Sequence, residues 1–146
     1  IRREFVEISK KYWQVDFPHD ALFWRMGMFT DSLYSYHENL IRWRKHSDST
    51  FTIESAKSKT MNKKRQWLEY GLRVVDSLDD FVTNYSDENE IQKKNILIFT
   101  KKWIEKRIAF YDSQSIADWV KIARYLPYYD RIRQYVGDLY LVKIKK

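Results

Sequence analysis

Residues 112–142, DSQSIADWVKIARYLPYYDRIRQYVGDLYLV, hold start, stop and charge signals in one stretch. Ser115 offers an N-cap and Asp118 stands three residues on, so the free amides of a first helical turn have acceptors ahead of the apolar positions Ile116, Ala117, Val120 and Ala123. Pro127 closes that helix, because proline has no amide to give and clashes with the preceding turn, while the first turn of a new helix tolerates it. The spacing predicts a second helix from Tyr128 to Val136, with Gly137 as its C-terminal stop. That second helix would carry Arg131, Arg133 and Gln134 beside Tyr128 and Tyr129. Two short helices about a tight turn, the second basic, form a candidate helix-turn-helix over 115–137.

Working outward, the chain has 146 residues, 44% of them hydrophobic and 17% aromatic, enough for the core of one ordinary domain. Three glycines and two prolines leave few tight turns and argue against a β-sandwich. The expected fold is therefore all-α, a compact bundle of about five or six helices. The absence of cysteine excludes disulfides, thiolate catalysis and cysteine-bound zinc, and fits a cytoplasmic location. No apolar run approaches the roughly 18–20 residues of a membrane span, the opening IRREFVEISKKYW lacks signal-peptide character, and no membrane role is expected. Residue 1 is Ile, so the natural N-terminus is expected to lie upstream.

The formal net charge is +7, and residues 89–146 hold 13 basic against 6 acidic side chains, whereas 1–56 and 57–88 each balance. A basic surface confined to the C-terminal half attracts polyanions, of which nucleic acid is the commonest.

Apolar steps of three and four define the remaining helices. Phe5, Ile8, Tyr12 and Val15 mark one ending near Pro18; Leu22, Met26, Phe29, Leu33, Tyr36, Leu40 and Trp43 follow steps of 4, 3, 4, 3, 4, 3. These two form an N-terminal hairpin over 1–46, separated by the polar 47–55 from a basic helical part over 56–146. Within the long seam, Phe29, Tyr36 and Trp43 are the candidate interface for a protein partner or a homodimer. Lys63, Lys64 and Arg65 open a helix with no acid among them, suited to gripping phosphates, and the stripe Trp67, Leu68, Leu72, Val75, Leu78, Val82 continues it. After the turn at 84–90, Ile96, Phe99, Trp103 and Phe110 lie on one expected stripe, with Leu97, Ile104, Ile108 and Tyr111 beside it and the lysines and Arg107 mainly elsewhere. Residues 95–99, NILIF, and the terminal LYLVKIKK each read as helix or as strand.

Chemistry for an enzyme is not found. His19, His37 and His46 are 18 and 9 residues apart, far from metal-ligand spacing, and no glycine-rich phosphate loop occurs. Asp79 and Asp80, adjacent on a helix, point about 100° apart, unsuited to an acid/base pair. Asp16, His19 and Asp20 around Pro18 are explained by a helix entry. No cofactor and no metal is expected.

Ile122, Ala123 and Leu126, then Pro127, then Tyr128 through Arg133 resemble the C-terminal part of small phage late-gene transcriptional regulators of the ArpU and RinA type, itself similar to the promoter-reading fourth region of bacterial sigma factors. The resemblance covers about the last 80 residues. It departs at Pro127, where the turn usually has Gly or Asn, and at Arg133, where an apolar residue is more usual. It implies a DNA-binding regulator, with RNA open as an alternative. The residues expected to contact nucleic acid are Lys121, Arg124, Tyr128, Tyr129, Arg131, Arg133 and Gln134, together with Lys63, Lys64 and Arg65, since arginine pairs bidentately with guanine and glutamine with adenine. The alternative is a non-enzymatic helical module binding a protein through an aromatic helix face or the basic surface.

Overall fold

The computed structural model describes residues 3–14, 19–30, 60–85, 89–129 and 131–144. The chain is all-α: six helices and one 3₁₀ segment make up the regular structure among the described residues, with no strand. The helices are α1 (Arg3–Lys10), α2 (His19–Phe29), α3 (Met61–Tyr85), α4 (Glu90–Ser113), α5 (Ile116–Ile122) and α6 (Ile132–Lys143), and the 3₁₀ segment, Ala123–Tyr128, joins α5 towards α6. Both segments that read as helix or strand are helical: 95–99 lies inside α4, and α6 runs through Lys143.

Two compact units share the long helices α3 and α4. One comprises Ile1–Ser35 and Gly71–Lys102, the other Tyr36–Tyr70 and Trp103–Lys146.

In the first unit, Leu22 and Met26 of α2 are buried, as are Val74, Val75, Leu78, Phe81 and Val82 of α3 and Leu97 of α4. The seam expected from Leu22 is thus present over its first two positions. Phe29 is half-buried, and Tyr36 and Trp43 lie outside the described residues. Tyr12 sets its ring edge-on to Phe81 at 5.4 Å and to Tyr85 at 6.1 Å, holding the end of α1 against α3.

In the second unit, the start of α3 is capped by Thr60, whose hydroxyl accepts the Lys63 amide at 3.4 Å. Leu68, Ile104, Phe110, Tyr111, Ile122, Tyr125, Tyr129, Tyr135 and Val142 are buried. Gln114 ends α4 with a left-handed φ of 52° while its amide bonds the Phe110 carbonyl at 2.8 Å, a conformation that costs a non-glycine residue on the order of 1–2 kcal/mol. Ser115 has the extended backbone of an N-cap, but its side chain makes no capping bond. The Ser113 hydroxyl acts instead, accepting the Ser115 amide at 3.2 Å and donating to Asp118 at 2.7 Å.

Three expectations are corrected here. The last helix does not begin at Tyr128: Pro127 lies inside the 3₁₀ segment, Tyr129 and Arg131 are extended, and α6 starts at Ile132. Nor does the helix stop at Gly137, which lies in its middle, because Asp138 and Val142 of the following turns are buried and tie them down. The buried side chains of α4 are Lys93, Leu97, Ile104, Arg107, Phe110 and Tyr111, while Ile96 and Phe99, expected inside, are about half exposed. Only the first half of the expected stripe is displaced, since Phe110 is buried as its spacing implies.

Candidate functional site

The last helix is fixed to α4 by a buried polar cluster. Asp138 on α6 accepts four hydrogen bonds: from Arg107 Nε at 2.8 Å and the Tyr129 hydroxyl at 3.0 Å on Oδ2, and from an Arg107 terminal nitrogen at 2.9 Å and the Tyr111 hydroxyl at 2.7 Å on Oδ1. A carboxylate offers about four lone-pair sites, so this acceptor is saturated. The Arg107 guanidinium carbon also lies 4.9 Å from the ring centres of both Trp103 and Tyr129. Burial alone would lower the Arg107 pKa, but the hydrogen bonds and charge of Asp138 outweigh it and hold it above its ordinary value, so the group stays charged. Burial, reinforced by the Asp138 charge, pushes both Tyr111 and Tyr129 well above the ordinary phenol range. Neither hydroxyl is poised to act as a base near neutrality.

A second contact joins α5 to α6. The Trp119 and Tyr135 rings stack at 4.4 Å with 13° between their planes, and each donates to the main chain of the other: Trp119 Nε1 to the Tyr135 carbonyl and the Tyr135 hydroxyl to the Trp119 carbonyl, both at 3.1 Å. The two helices carry the same local pattern there, Ile116-Ala-Asp-Trp119-Val120 and Ile132-Arg-Gln-Tyr135-Val136. Ile116 and Val120, like Ile132 and Val136, are exposed.

With Tyr135, Asp138 and Val142 turned inward, helical geometry fixes what α6 presents outward. Ile132, Val136, Tyr140 and Ile144 recur every fourth residue and are 70%, 52%, 51% and 69% exposed. At 1.5 Å per residue this row is about 18 Å long. Arg131, Arg133 and Lys143 accompany it, all exposed and with no carboxylate partner among the described residues. The one acid within α6, Asp138, is buried. Gly137 adjoins the row, and a Cβ placed there would meet nothing within 4 Å.

The residues expected to contact nucleic acid are distributed unevenly. Arg131 is the N-cap residue of α6, and Arg133 and Gln134 lie in its first turn, all exposed. Arg124 is exposed with its guanidinium 5.5 Å from the Tyr125 ring. Lys121 is exposed but pairs with Asp118 at 2.8 Å, and that pairing holds the Asp118 carboxyl below its usual range. Tyr128 is half-buried against Trp103, and Tyr129, 7% exposed, gives its hydroxyl to Asp138, so its place is structural. Lys63 and Lys64 are half-buried, and Arg65 pairs with both Glu69 and Asp112. The structure therefore leaves Arg124, Arg131, Arg133 and Gln134 as the exposed members around the start of α6.

The sequence reading missed two things: the Arg107–Asp138 cluster and the outward apolar row. The row was legible as a four-residue period over 132–144 once the helix start was placed at Ile132. The cluster had no local signal, since Asp138 lies 9 to 31 residues from the side chains that meet it.

Among the described residues no group of three His, Cys, Asp or Glu side chains is placed to hold a metal ion, and no helix is long and apolar enough to cross a membrane. No family model, no curated protein and no solved structure matches this chain.

Proposed function

We propose that this chain is a non-enzymatic binding protein whose contact surface is the outward face of α6 and whose partner is another protein. One observation carries the reading: four large apolar side chains in a single row, half or more exposed, on a helix whose inner face is pinned by a saturated ionic cluster. An ordinary surface helix turns polar residues outward and apolar ones inward. Here the inner face holds Asp138 between Tyr135 and Val142, and the outer face carries Ile132, Val136 and Tyr140, with Ile144 following at the C-cap. Covering each of these half-exposed side chains would contribute on the order of 1 kcal/mol, and exposed apolar surface gathered in this way marks interaction sites. Because four hydrogen bonds to Asp138 already hold the inner face, docking would order few further groups.

A second reading has its own support. Arg124, Arg131 and Arg133 are exposed without carboxylate partners among the described residues, and arginines of that kind suit phosphate binding. It retains a DNA- or RNA-binding regulator, with Arg131, Arg133 and Gln134 in the first turn of α6.

Photo-crosslinking decides between them. With benzoylphenylalanine at Val136, and at exposed Asn95 of α4 as a control, discrete protein adducts are expected at position 136 and not at 95 in cells making the protein. Nucleic-acid adducts at 136, lost in the Arg131→Glu/Arg133→Glu variant, would establish the second reading. The absence of any adduct specific to 136 would overturn both.

A further inference from the structure

We infer that the occupant of the α6 face is an acidic amphipathic helix of a different protein, an inference that rests on this face being the contact surface. The shape of the face points to a helix. A row at i, i+4, i+8 and i+12 is the ridge that packs into the groove of a second helix, and helix-in-groove docking reads such anchors. Gly137 is the second, independent observation. In mid-helix, glycine is about 1 kcal/mol less favourable than alanine, yet nothing among the described residues calls for it: its φ is not positive and a Cβ would meet nothing within 4 Å. A glycine beside an apolar ridge lets another backbone approach closely, which alanine or leucine would obstruct.

Charge then selects the occupant. Arg131 and Arg133 stand at one end of the ridge and Lys143 at the other, with no exposed acid on the helix between them. A second copy of this face, in either orientation, would bring cations against cations, so the face is unsuited to self-association. A helix with an apolar stripe flanked by Glu or Asp is complementary in shape and in charge.

The test is selection from a surface-displayed library of 18-residue peptides with helical apolar periodicity and randomised flanking charge, on the purified full chain. Enrichment of peptides with net negative flanks is expected. Affinity of the enriched peptides should fall about tenfold on Arg131→Glu/Arg133→Glu, equivalent to about 1.4 kcal/mol, and binding should be lost on Gly137→Leu. Gly137→Ala should bind more weakly while unfolding at a higher denaturant concentration, opposite signs that a structural role for the glycine would not give. Both glycine variants should keep the helical circular dichroism of the parent, since the Cβ that each adds meets nothing within 4 Å. Enrichment of neutral or basic peptides that Gly137→Leu still abolishes would overturn the acidic helix and leave the contact surface standing. Enrichment indifferent to Gly137→Leu, or none, would overturn both.

Discussion

Asp138→Ala is expected to destabilise the fold by about 3–5 kcal/mol, because it leaves a guanidinium buried without its counter-charge. Arg107 is only 8% exposed, with its guanidinium stacked 4.9 Å from the ring centres of Trp103 and Tyr129. The same substitution strands the Tyr111 and Tyr129 hydroxyls, whose acceptor is gone. Arg107→Leu should cost a comparable amount, by burying the carboxylate unpaired. The double variant Arg107→Leu/Asp138→Leu should cost far less than the two single changes together, since apolar replacement of a whole buried pair is often close to neutral. Denaturant unfolding of the four proteins measures this directly. Single-variant losses below about 1 kcal/mol would mean that the pair is solvated in solution, and the rigidity assigned to α6 would go with it.

The second large effect is an alkaline one. Tyr111 and Tyr129 have folded pKa values raised above the ordinary value of 10.0. A group whose pKa is raised by folding contributes stability that is fully present below the unfolded pKa and is lost as pH climbs towards the folded one. The stabilisation should therefore be flat to about pH 10 and then decline, by about 1.4 kcal/mol per pH unit for each tyrosine, because the unfolded chain sheds protons that the fold retains. Tyr111→Phe should halve the slope contributed by the pair, and Tyr111→Phe/Tyr129→Phe should remove it. Urea unfolding between pH 8 and pH 11.5 reads this out, and equal slopes in the parent and the double variant would contradict the protonated, buried phenols.

The two effects share a cause that also explains what the sequence could and could not convey. Where apolar residues recur on a helix whose other face is charged, position alone decides the structure. Leu22 and Met26 of α2, and Leu68, Val75, Leu78 and Val82 of α3, are buried as their spacing implies, whereas Trp67, which opens the expected α3 stripe, is 48% exposed. In α4 the rule failed because Lys93 and Arg107 take inward positions that an apolar residue would ordinarily fill. Arg107 is there because Asp138, 31 residues away, meets it, and no local pattern announces such a pairing. The same aspartate misplaced the end of the chain's last helix. Its burial carries α6 through Gly137, while Tyr129, bonded to the same carboxylate, and Arg131 are extended, and the helix starts at Ile132. With that register corrected, Arg131, Arg133 and Gln134 remain at the helix start, as expected, but the helix they open presents an apolar ridge that the basic composition had concealed.

The chain contains no cysteine, so single cysteines can be placed along α6 and their reaction with a thiol reagent timed. At Ile132, Val136 and Tyr140 the rate should approach that of a free thiol, while at Tyr135 and Val142 it should be slowed as far as the helix stays folded. Fast and slow positions would then alternate with the helical period, leaving the ridge open to a partner. Protection at 136 and 140 equal to that at 142 would contradict the account, because the ridge would already be covered within the chain and no face would remain for a second helix.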